Sequence, residues 1–279
     1  MSAWLPTAPC TPHDCAGHRG ERRAPLPAAA LLFAGCTLTL LGVLCVPVVL
    51  LLGPASRDRL VRRWAYTVVR AFGVRIRVTG RPVTAGRAPA GELVVANHVS
   101  WLDIPLVAAV LPARMVAKSE IRNWPLLGPL AGLGGTLFIE RDRLRALPAA
   151  VRALAGALAS GSRVAVFPQG STWCGRSTGG RFRPAAFQAA IDAGAVVRPL
   201  RIRYRTTDLS TAGAAAFVGD DPLAASIWRV VTAAGLTAEI SVLAPIPAGS
   251  EPDRRSLARA AQSAVAKDSA NRPAESVHH

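Results

Sequence analysis

The sequence predicts an α/β fold, a mostly parallel sheet flanked by helices, preceded by an N-terminal membrane helix and an amphipathic interfacial helix. Short apolar runs recur between residues 74 and 203, helical patterns lie between several of them, and a long uncharged apolar segment precedes them all. Strands that alternate with helices form parallel sheets covered on both faces. A chain of 279 residues is long enough for one such domain with appendages.

The composition indicates contact with a membrane. Hydrophobic residues make up 51% of the chain and charged residues 18%, which is more apolar than a soluble enzyme requires. The net charge of +16 comes almost wholly from arginine and favours anionic lipid headgroups or phosphorylated substrates. We expect no nucleic-acid partner, because no basic stretch is interleaved with aromatic residues.

The five cysteines are odd in number and lack the spacing of a disulfide framework, which favours a reducing compartment. Cys10, His13, Cys15 and His18 are potential zinc ligands. They crowd into nine residues, whereas structural zinc sites usually separate their ligand pairs. We therefore predict no metal site.

The first elements are predicted to anchor the chain. Residues 1–25 read as a disordered basic N-terminus, and residues 26–72 as membrane-anchoring helices. No charged side chain occurs from Ala24 to Ser56, which exceeds the roughly 20 residues that cross a bilayer. A secretory signal is the alternative, but no small-x-small cleavage site follows. Basic residues flank both ends, so the positive-inside rule gives no clear orientation. Pro47 favours a kink in the helix, and a shallow or re-entrant insertion is an alternative to a full span.

Residues 58–72 carry an apolar helical stripe of Leu60, Trp64, Val68 and Ala71, with arginines mostly elsewhere. This pattern fits a helix in the headgroup region and fits a core-facing helix equally well.

The remaining elements follow the α/β alternation from residue 73 to residue 250. Beyond them, residues 251–279 read as a polar C-terminal tail with at most one alanine-rich helix. Strands are predicted at 74–79, 93–96, 114–117, 135–139, 163–167 and 196–203. Helical faces are predicted around 147–158, 187–191 and 227–231.

One stretch, residues 93–103, carries the strongest chemical signal. A short apolar strand ends at Asn97, His98 falls in a turn, and a helix begins at about Ser100. His98 is the only histidine outside the two tails, which makes it the candidate general base. The alternative is a capped helix start, in which Asp103 faces backbone N–H groups.

Four motifs stand in order along the chain: Asn97-His98-x4-Asp103, Gly135-x2-Phe138-Ile139-x-Arg141, Phe167-Pro168-Gln169-Gly170-Ser171-Thr172, and the proline-broken strand Val196–Leu200. Between the first two stand Ala117-Lys118-Ser-Glu120 and Trp124-Pro125-Leu-Leu-Gly128. Together these motifs resemble the membrane-associated glycerolipid acyltransferases, the family of 1-acyl-glycerol-3-phosphate (lysophosphatidate) acyltransferases. The chain departs from the family pattern at Gln169, where the family usually has glutamate.

The resemblance implies that residues 73–250 form the catalytic domain, with His98 and Asp103 as the catalytic pair. A base that takes the acceptor hydroxyl proton is what acyl transfer from a thioester requires, and Asp103 would fix the histidine tautomer. A spacing of five residues on one helix separates side chains by about 140°, so the two can meet only if His98 precedes the helix.

The substrate-binding residues implied by the motifs supply positive charge, turns and hydroxyls. Arg141 and Lys118 stand at strand ends, where either can pair with a phosphate. The turn after residue 166 offers backbone N–H groups beside two hydroxyls, a phosphate or oxyanion cradle. The predicted set is Asn97, Lys118, Gly135, Arg141, Phe167, Pro168, Gln169, Gly170, Ser171 and Thr172.

The predicted activity is transfer of a fatty acyl group from acyl-CoA or acyl-ACP to a lysophospholipid, foremost lysophosphatidate to give phosphatidate. The donor is a co-substrate, and no cofactor is expected. Lyso-ornithine lipid is an alternative acceptor, and Gln169 leaves open a non-catalytic lipid-binding relative. Cys174 invites a Cys–His acyl-enzyme, a weak alternative for a lone loop cysteine. The expected location is the cell membrane, with the active site on the cytoplasmic face.

Overall fold

An eight-stranded sheet forms the centre of the computed structural model, which describes residues 8–80, 91–123, 127–140, 143–176 and 179–267. The strands are β1 (Arg75–Gly80), β2 (Glu92–Ala96), β3 (Arg114–Lys118), β4 (Leu137–Ile139), β5 (Arg163–Val166), β6 (Val196–Arg205), β7 (Thr237–Val242) and β8 (Ile246–Pro247). The helices are α1 (Pro12–Cys15), α2 (Pro25–Leu44), α3 (Val46–Leu50), α4 (Pro54–Ala71), α5 (Asp103–Val110), α6 (Leu127–Leu133), α7 (Leu147–Ala159), α8 (Ala185–Asp192), α9 (Leu223–Thr232) and α10 (Arg254–Lys267).

The strand order is β1-β7-β6-β2-β5-β3-β4, with β8 also paired to β6. Five neighbouring strands, from β6 to β4, run parallel. The strands β7 and β8 run antiparallel to β6, and β1 follows the direction of β7. The mostly parallel α/β sheet predicted from the sequence is confirmed, and β1, β7 and β8 run antiparallel to its five parallel strands.

The central strand β2 is buried along its whole length. Val94 and Ala96 point into one apolar cluster and Leu93 and Val95 into the other, as the two-residue period of a strand requires. At its start, Glu92 accepts hydrogen bonds from Arg163 of β5 (2.7 Å) and Arg198 of β6 (2.6 Å). These two ion pairs link the amino ends of three neighbouring strands.

Helices cover both faces of the sheet, as predicted for a parallel α/β sheet. The first cluster includes residues of α2, α4, α5 and α9, and the second includes residues of α7, α8 and α10. The predicted helical faces in α7, α8 and α9 all belong to helices that pack on the sheet.

The helices α2 and α4 form an antiparallel hairpin. Trp64 Nε1 of α4 donates to Leu38 O of α2 (2.9 Å), and Gly35 lies against the ring of Phe72, just beyond α4. At the base of the hairpin, Arg23 Nη2 donates to Gly73 O (2.8 Å). The amino end of α2 and the carboxyl end of α4 therefore lie at the sheet, and the α2–α3–α4 connection lies at the far end of the hairpin.

The helix α2 is long and apolar enough to cross a membrane. It ends at Leu44, and Pro47 takes the second position of α3, so the break falls where proline favours one. We call the far end of the hairpin, residues 40–52, the apolar tip. Its exposed apolar side chains are Leu40, Leu41, Leu44, Val48, Leu50, Leu51 and Leu52.

The apolar stripe predicted on residues 58–72 is partly buried in the core and partly exposed, so each of the two interpretations describes a part of it. Val68 is buried with Ala65 and Val69 in the domain core, as expected of a core-facing helix. Leu60 stays exposed near the apolar tip, as expected of a headgroup helix.

Two tail segments are more ordered than the sequence predicts. Residues 8–25 were predicted to be disordered, but Arg23 Nη1 donates to the carbonyls of Val231 (2.8 Å) and Ala233 (2.6 Å), which docks this segment on α9. In the C-terminal tail, Leu257 and Ala261 of α10 are buried against the second face of the sheet. Buried contacts rather than local propensity order both segments.

Candidate active site

His98 and Asp103 meet at the carboxyl end of β2. His98 lies in the loop just after the strand, and Asp103 is the first residue of α5, so the ring precedes the helix as the spacing demanded. His98 Nδ1 lies 2.8 Å from Asp103 Oδ2. A hydrogen on Nδ1 leaves Nε2 unprotonated, and that nitrogen can accept a proton from a hydroxyl. The ring is 20% exposed, which leaves it accessible to a substrate.

Asp103 is fully buried and accepts four hydrogen bonds. Besides His98, the donors are the backbone N–H groups of Val99 (2.6 Å) and Ser100 (2.8 Å), and the phenol of Tyr204 (2.6 Å). Burial, the charge of Asp103 and the hydrogen bond to it together raise the pKa of Tyr204 well above 10, so the phenol stays a donor. The carboxylate is thus held in one orientation from several sides.

The capped helix start proposed as an alternative is present together with the catalytic geometry. Asp103 accepts the N–H groups of Val99 and Ser100 while it also contacts the imidazole. The helix begins at Asp103 rather than at Ser100, because residues 101 and 102 form a turn. One carboxylate therefore stabilises the loop and orients the base.

The turn after β5 supports the imidazole. The Phe167 ring stacks on His98 with centroids 4.0 Å apart and planes 11° from parallel. Gln169 Oε1 accepts the backbone N–H of His98 (2.7 Å), and Gln169 Nε2 donates to Gly180 O (3.4 Å). Gly170 has φ of +78°, a conformation that glycine adopts without strain. The third motif therefore packs directly against the first.

Asn97 joins the carboxyl end of β2 to β6. Its Nδ2 donates to Ile202 O (2.9 Å) and its Oδ1 accepts from Ile202 N (2.8 Å). Both polar atoms of the amide are thereby used by backbone. The structure gives Asn97 the contacts of a positioning residue for the neighbouring His98.

The remaining predicted residues are dispersed. Lys118 is exposed at the end of β3, which β5 separates from β2, so the two strand axes lie about 10 Å apart. Gly135 has φ of +75° and its carbonyl accepts from Arg114 Nε (2.7 Å), which indicates a turn. Arg141 lies outside the described residues.

The turn also contains Pro168, Ser171 and Thr172. The carbonyl of Pro168 accepts from Arg183 N (2.9 Å). Ser171 Oγ is buried without a hydrogen-bond partner among the described residues, and Thr172 is partly buried beside it. The two hydroxyls belong to the loop that supports His98, whose carbonyl accepts from Trp173 N (2.8 Å).

A cationic pocket of about 360 Å³ adjoins this pair, and sequence reasoning missed it. Asn97 and Val99, the neighbours of His98, line it together with Arg176, Arg201 and Arg203. His98 itself does not line the pocket, so the pocket lies beside the catalytic pair. Sequence reasoning also missed Tyr204. The only available signal was the alternation of arginine with apolar residues along β6.

Cys174 does not pair with His98 among the described hydrogen bonds. Its sulfur instead lies within 4.8 Å of the sulfurs of Cys10 and Cys15. Burial alone would raise the pKa of the Cys174 thiol. The backbone N–H of Arg176 and the thiols of Cys15 and Cys10 outweigh burial and lower that pKa. A Cys–His acyl-enzyme has no support in this arrangement.

Comparison with known proteins connects this site to an enzyme family. The family model described as Acyltransferase matches residues 75–203. A lyso-ornithine lipid O-acyltransferase of Pseudomonas aeruginosa is 40% identical over 209 residues, covering 75% of this chain and 78% of that protein. A 1-acyl-sn-glycerol-3-phosphate acyltransferase of Neisseria meningitidis is 37% identical over 204 residues, covering 73% and 78%.

A solved structure shares the fold. The crystal structure of the 1-acyl-sn-glycerophosphate (LPA) acyltransferase PlsC from Thermotoga maritima aligns with a TM-score of 0.66 and 17% identity. The alignment covers 89% of this chain and 98% of that one. The identities over most of the chain, the family match across the four motifs and the shared fold lead to one conclusion: this chain belongs to the acyltransferase family.

Proposed function

We propose that the protein transfers a fatty acyl group from a thioester, acyl-CoA or acyl-ACP, to the free hydroxyl of a lysophospholipid, foremost lysophosphatidate. The observation that carries the proposal is the His98–Asp103 hydrogen bond of 2.8 Å, with Asp103 fully buried and His98 accessible. Residues 73–250 are proposed as the catalytic unit, with α10 packed on it.

The proposed reaction is direct acyl transfer. His98 Nε2 takes the hydroxyl proton while the acceptor oxygen bonds to the thioester carbonyl carbon. Asp103 stabilises the imidazolium that forms. The C–S bond then breaks, and the imidazolium returns its proton to the departing thiolate. Ser171 Oγ, buried and without a partner among the described residues, is the proposed donor to the oxygen that becomes negative.

Arginines near the pair support an anionic substrate. Arg176, Arg201 and Arg203 line the pocket beside His98, and guanidinium groups bind phosphate with two parallel hydrogen bonds. Lysophosphatidate and both donors carry phosphate, so one positive wall suits acceptor and donor. We keep Arg141 and Lys118 as proposed phosphate contacts, as the motifs imply.

Lyso-ornithine lipid is the second candidate acceptor. The observation in its favour is the 40% identity to a lyso-ornithine lipid O-acyltransferase, beside 37% identity to a 1-acyl-sn-glycerol-3-phosphate acyltransferase. The same base and donor would serve both acceptors, so the headgroup contacts decide between them.

Membrane association is proposed to occur through the apolar tip. The hairpin returns α4 to the sheet, so the tip can enter one leaflet while Arg57, Arg59, Arg62 and Arg63 stay at anionic headgroups. Because both donors are cytoplasmic thioesters, the active site is proposed to face the cytoplasm.

A lyso-lipid panel tests the proposal. Purified protein in lipid vesicles would receive labelled acyl-CoA or acyl-ACP with lysophosphatidate or lyso-ornithine lipid. We expect His98→Ala to lower turnover about 10²- to 10⁴-fold, because the general base is lost. Asp103→Asn should lower it severely as well, and His13→Ala, at an exposed histidine, should not.

Two results would contradict the proposal. Activity of folded His98→Ala within a few-fold of wild type would remove the base mechanism. Absence of transfer by wild type with every donor and acceptor, combined with binding of lyso-lipid to vesicle-bound protein, would favour a lipid-binding relative.

A further inference from the structure

Three cysteine side chains meet beside the active-site loop. Cys10 precedes α1, Cys15 ends it, and Cys174 follows Trp173 in the loop after β5. Their sulfur atoms all lie within 4.8 Å of one another. Cys15 and Cys174 are buried, and Ala216 and Val218 pack around them. The N-terminal segment and the active-site loop thus each contribute sulfur to one cluster.

The sulfur spacing is close to that of thiolates bound to one zinc ion, and three thiolates leave a fourth zinc position for a ligand from outside the trio. Thiolates bound to tetrahedral zinc at about 2.3 Å stand about 3.8 Å apart, so a contraction of at most about 1 Å would close the cluster. Cys10 and Cys15 are separated by four residues, within the usual spacing of a ligand pair. The sequence alone predicted no site, because the third ligand lies about 160 residues along the chain from this pair.

Burial raises the pKa of the Cys10 thiol and raises that of Cys15 to about 12, so a metal ion would displace protons from these thiols as it binds. The backbone N–H groups of Cys174 and Arg176 lie next to the sulfurs of Cys10 and Cys174. Such N–H groups would stabilise thiolates once the metal is bound. Arg176 Nη1 donates to Asp14 O (2.9 Å), which adds a positive side chain next to the cluster. His13 is almost fully exposed and contacts Asp14, outside the sulfur triangle.

We propose that Cys10, Cys15 and Cys174 bind one thiophilic divalent metal ion, with zinc the best fit and the fourth position open to solvent. All three cysteines are free thiols, so each sulfur is available to a metal. The ion would fasten residues 8–18 to the loop whose Trp173 N–H donates to the His98 carbonyl (2.8 Å). The bound ion would have a structural role next to the catalytic pair, separate from the proposed acyl transfer.

Metal titration of the full-length protein, purified under reducing conditions and stripped with a chelator, tests the proposal. We expect one Co²⁺ per chain with a thiolate-to-cobalt charge-transfer band, displaced by one equivalent of Zn²⁺. Zinc should protect three of the five thiols from alkylation, and peptide mass spectrometry should map the protection to Cys10, Cys15 and Cys174. It should also slow tryptic cleavage at Arg19 and Arg22.

Matched variants separate this site from other thiols. Cys174→Ser and Cys15→Ser should each weaken metal binding at least tenfold, while a Cys36→Ser, Cys45→Ser double variant should bind as wild type, since both lie exposed on or beside α2. The alkylation map needs no variant, so a misfolded serine variant leaves it intact. Equal alkylation of all five thiols with zinc, or a disulfide within the trio in reduced protein, would overturn the proposal. Neither result bears on the acyl-transfer assay.

Discussion

At the scale of single residues, Gln169 shows how an unusual side chain can fit a family site. Its carbonyl oxygen accepts the His98 N–H, and its amide donates to Gly180 O. A glutamate at this position would keep the first hydrogen bond and lose the second. A Cβ added at Gly179 would overlap Gln169 Nε2, so glycine leaves space for the amide. The position therefore supports the histidine loop without needing a charge.

Gln169→Glu is expected to change turnover by less than about tenfold, equal to about 1.4 kcal/mol in the barrier. Gln169→Ala should reduce turnover more than tenfold, because the buried His98 N–H loses its acceptor. Steady-state rates on the preferred acceptor, with folding checked by circular dichroism, measure both. A gain of activity from zero in Gln169→Glu would instead identify the natural chain as catalytically inert.

Tyr204→Phe tests the buried donor to Asp103. We expect a loss of about 1.5–3 kcal/mol of stability at pH 8, as for a hydrogen bond to a charged group. The pKa of Tyr204 is raised in the folded state, so its contribution is present below pH 10 and falls as the unfolded phenol ionises above it. The stability difference between variant and wild type should therefore shrink above pH 10.

Thermal unfolding in detergent across this pH range measures the effect. Tyr66→Phe, at the chain's other tyrosine, is the control, because Tyr66 is exposed on α4. A pH-independent difference for Tyr204→Phe would mean that the phenol ionises equally in both states.

Much of the site was predictable at this scale, and the reason is local. His98 and Asp103 are five residues apart, so a turn and a helix start suffice to join them. Tyr204 and the sulfur trio were missed because each depends on contacts between segments about 100 to 160 residues apart, which no spacing pattern records. The partner of Gln169, the backbone N–H of His98, lies 71 residues away along the chain and could not be chosen from the sequence.

At the scale of elements, the apolar tip makes a testable surface. Leu51 is 86% exposed and touches little of the protein, so a change there should leave the fold intact. Leu51→Asp is expected to weaken vesicle binding at least tenfold, because burying a leucine in lipid is worth about 1.5–3 kcal/mol and a carboxylate costs more. Vesicle flotation measures the bound fraction.

Leu147→Asp is the matched control. Leu147 is 41% exposed at the first position of α7, on the other face of the sheet, where an acid suits the helix N-terminus. Equal flotation of both variants would show that the tip does not insert. Deleting residues 1–56 is a poorer test, because it would also remove Ala28 from the domain core.

Strands such as β2 were predictable, because a strand that is buried on both faces is apolar at nearly every position and forms a continuous apolar run. β7 was missed, although Ala238, Ile240 and Val242 alternate inward. Its run is short and includes Glu239, so only its pairing with β6 and β1 defines it. The burial of α10 likewise depends on long-range packing, since an alanine-rich sequence predicts a helix but not the surface that it packs against.

At the scale of the whole molecule, the first and last segments enclose the sheet from opposite faces. Residues 8–25 reach α9 and the loop after β5, while α10 covers the second apolar cluster. Local composition made both segments read as tails. Arg23 donates hydrogen bonds to three carbonyls that lie 50 to 210 residues away along the chain, and composition cannot predict such contacts.

The hairpin has a consequence for how the rate should be described. A protein held at a bilayer by its tip meets a lipid acceptor through lateral diffusion within the leaflet. The governing concentration is then the mole fraction of acceptor at the surface, and bulk molarity matters only for the water-soluble donor. Diluting the acceptor with inert lipid at constant total amount should slow turnover, whereas diluting the whole suspension should slow it less. A Michaelis constant for the acceptor is accordingly a surface density.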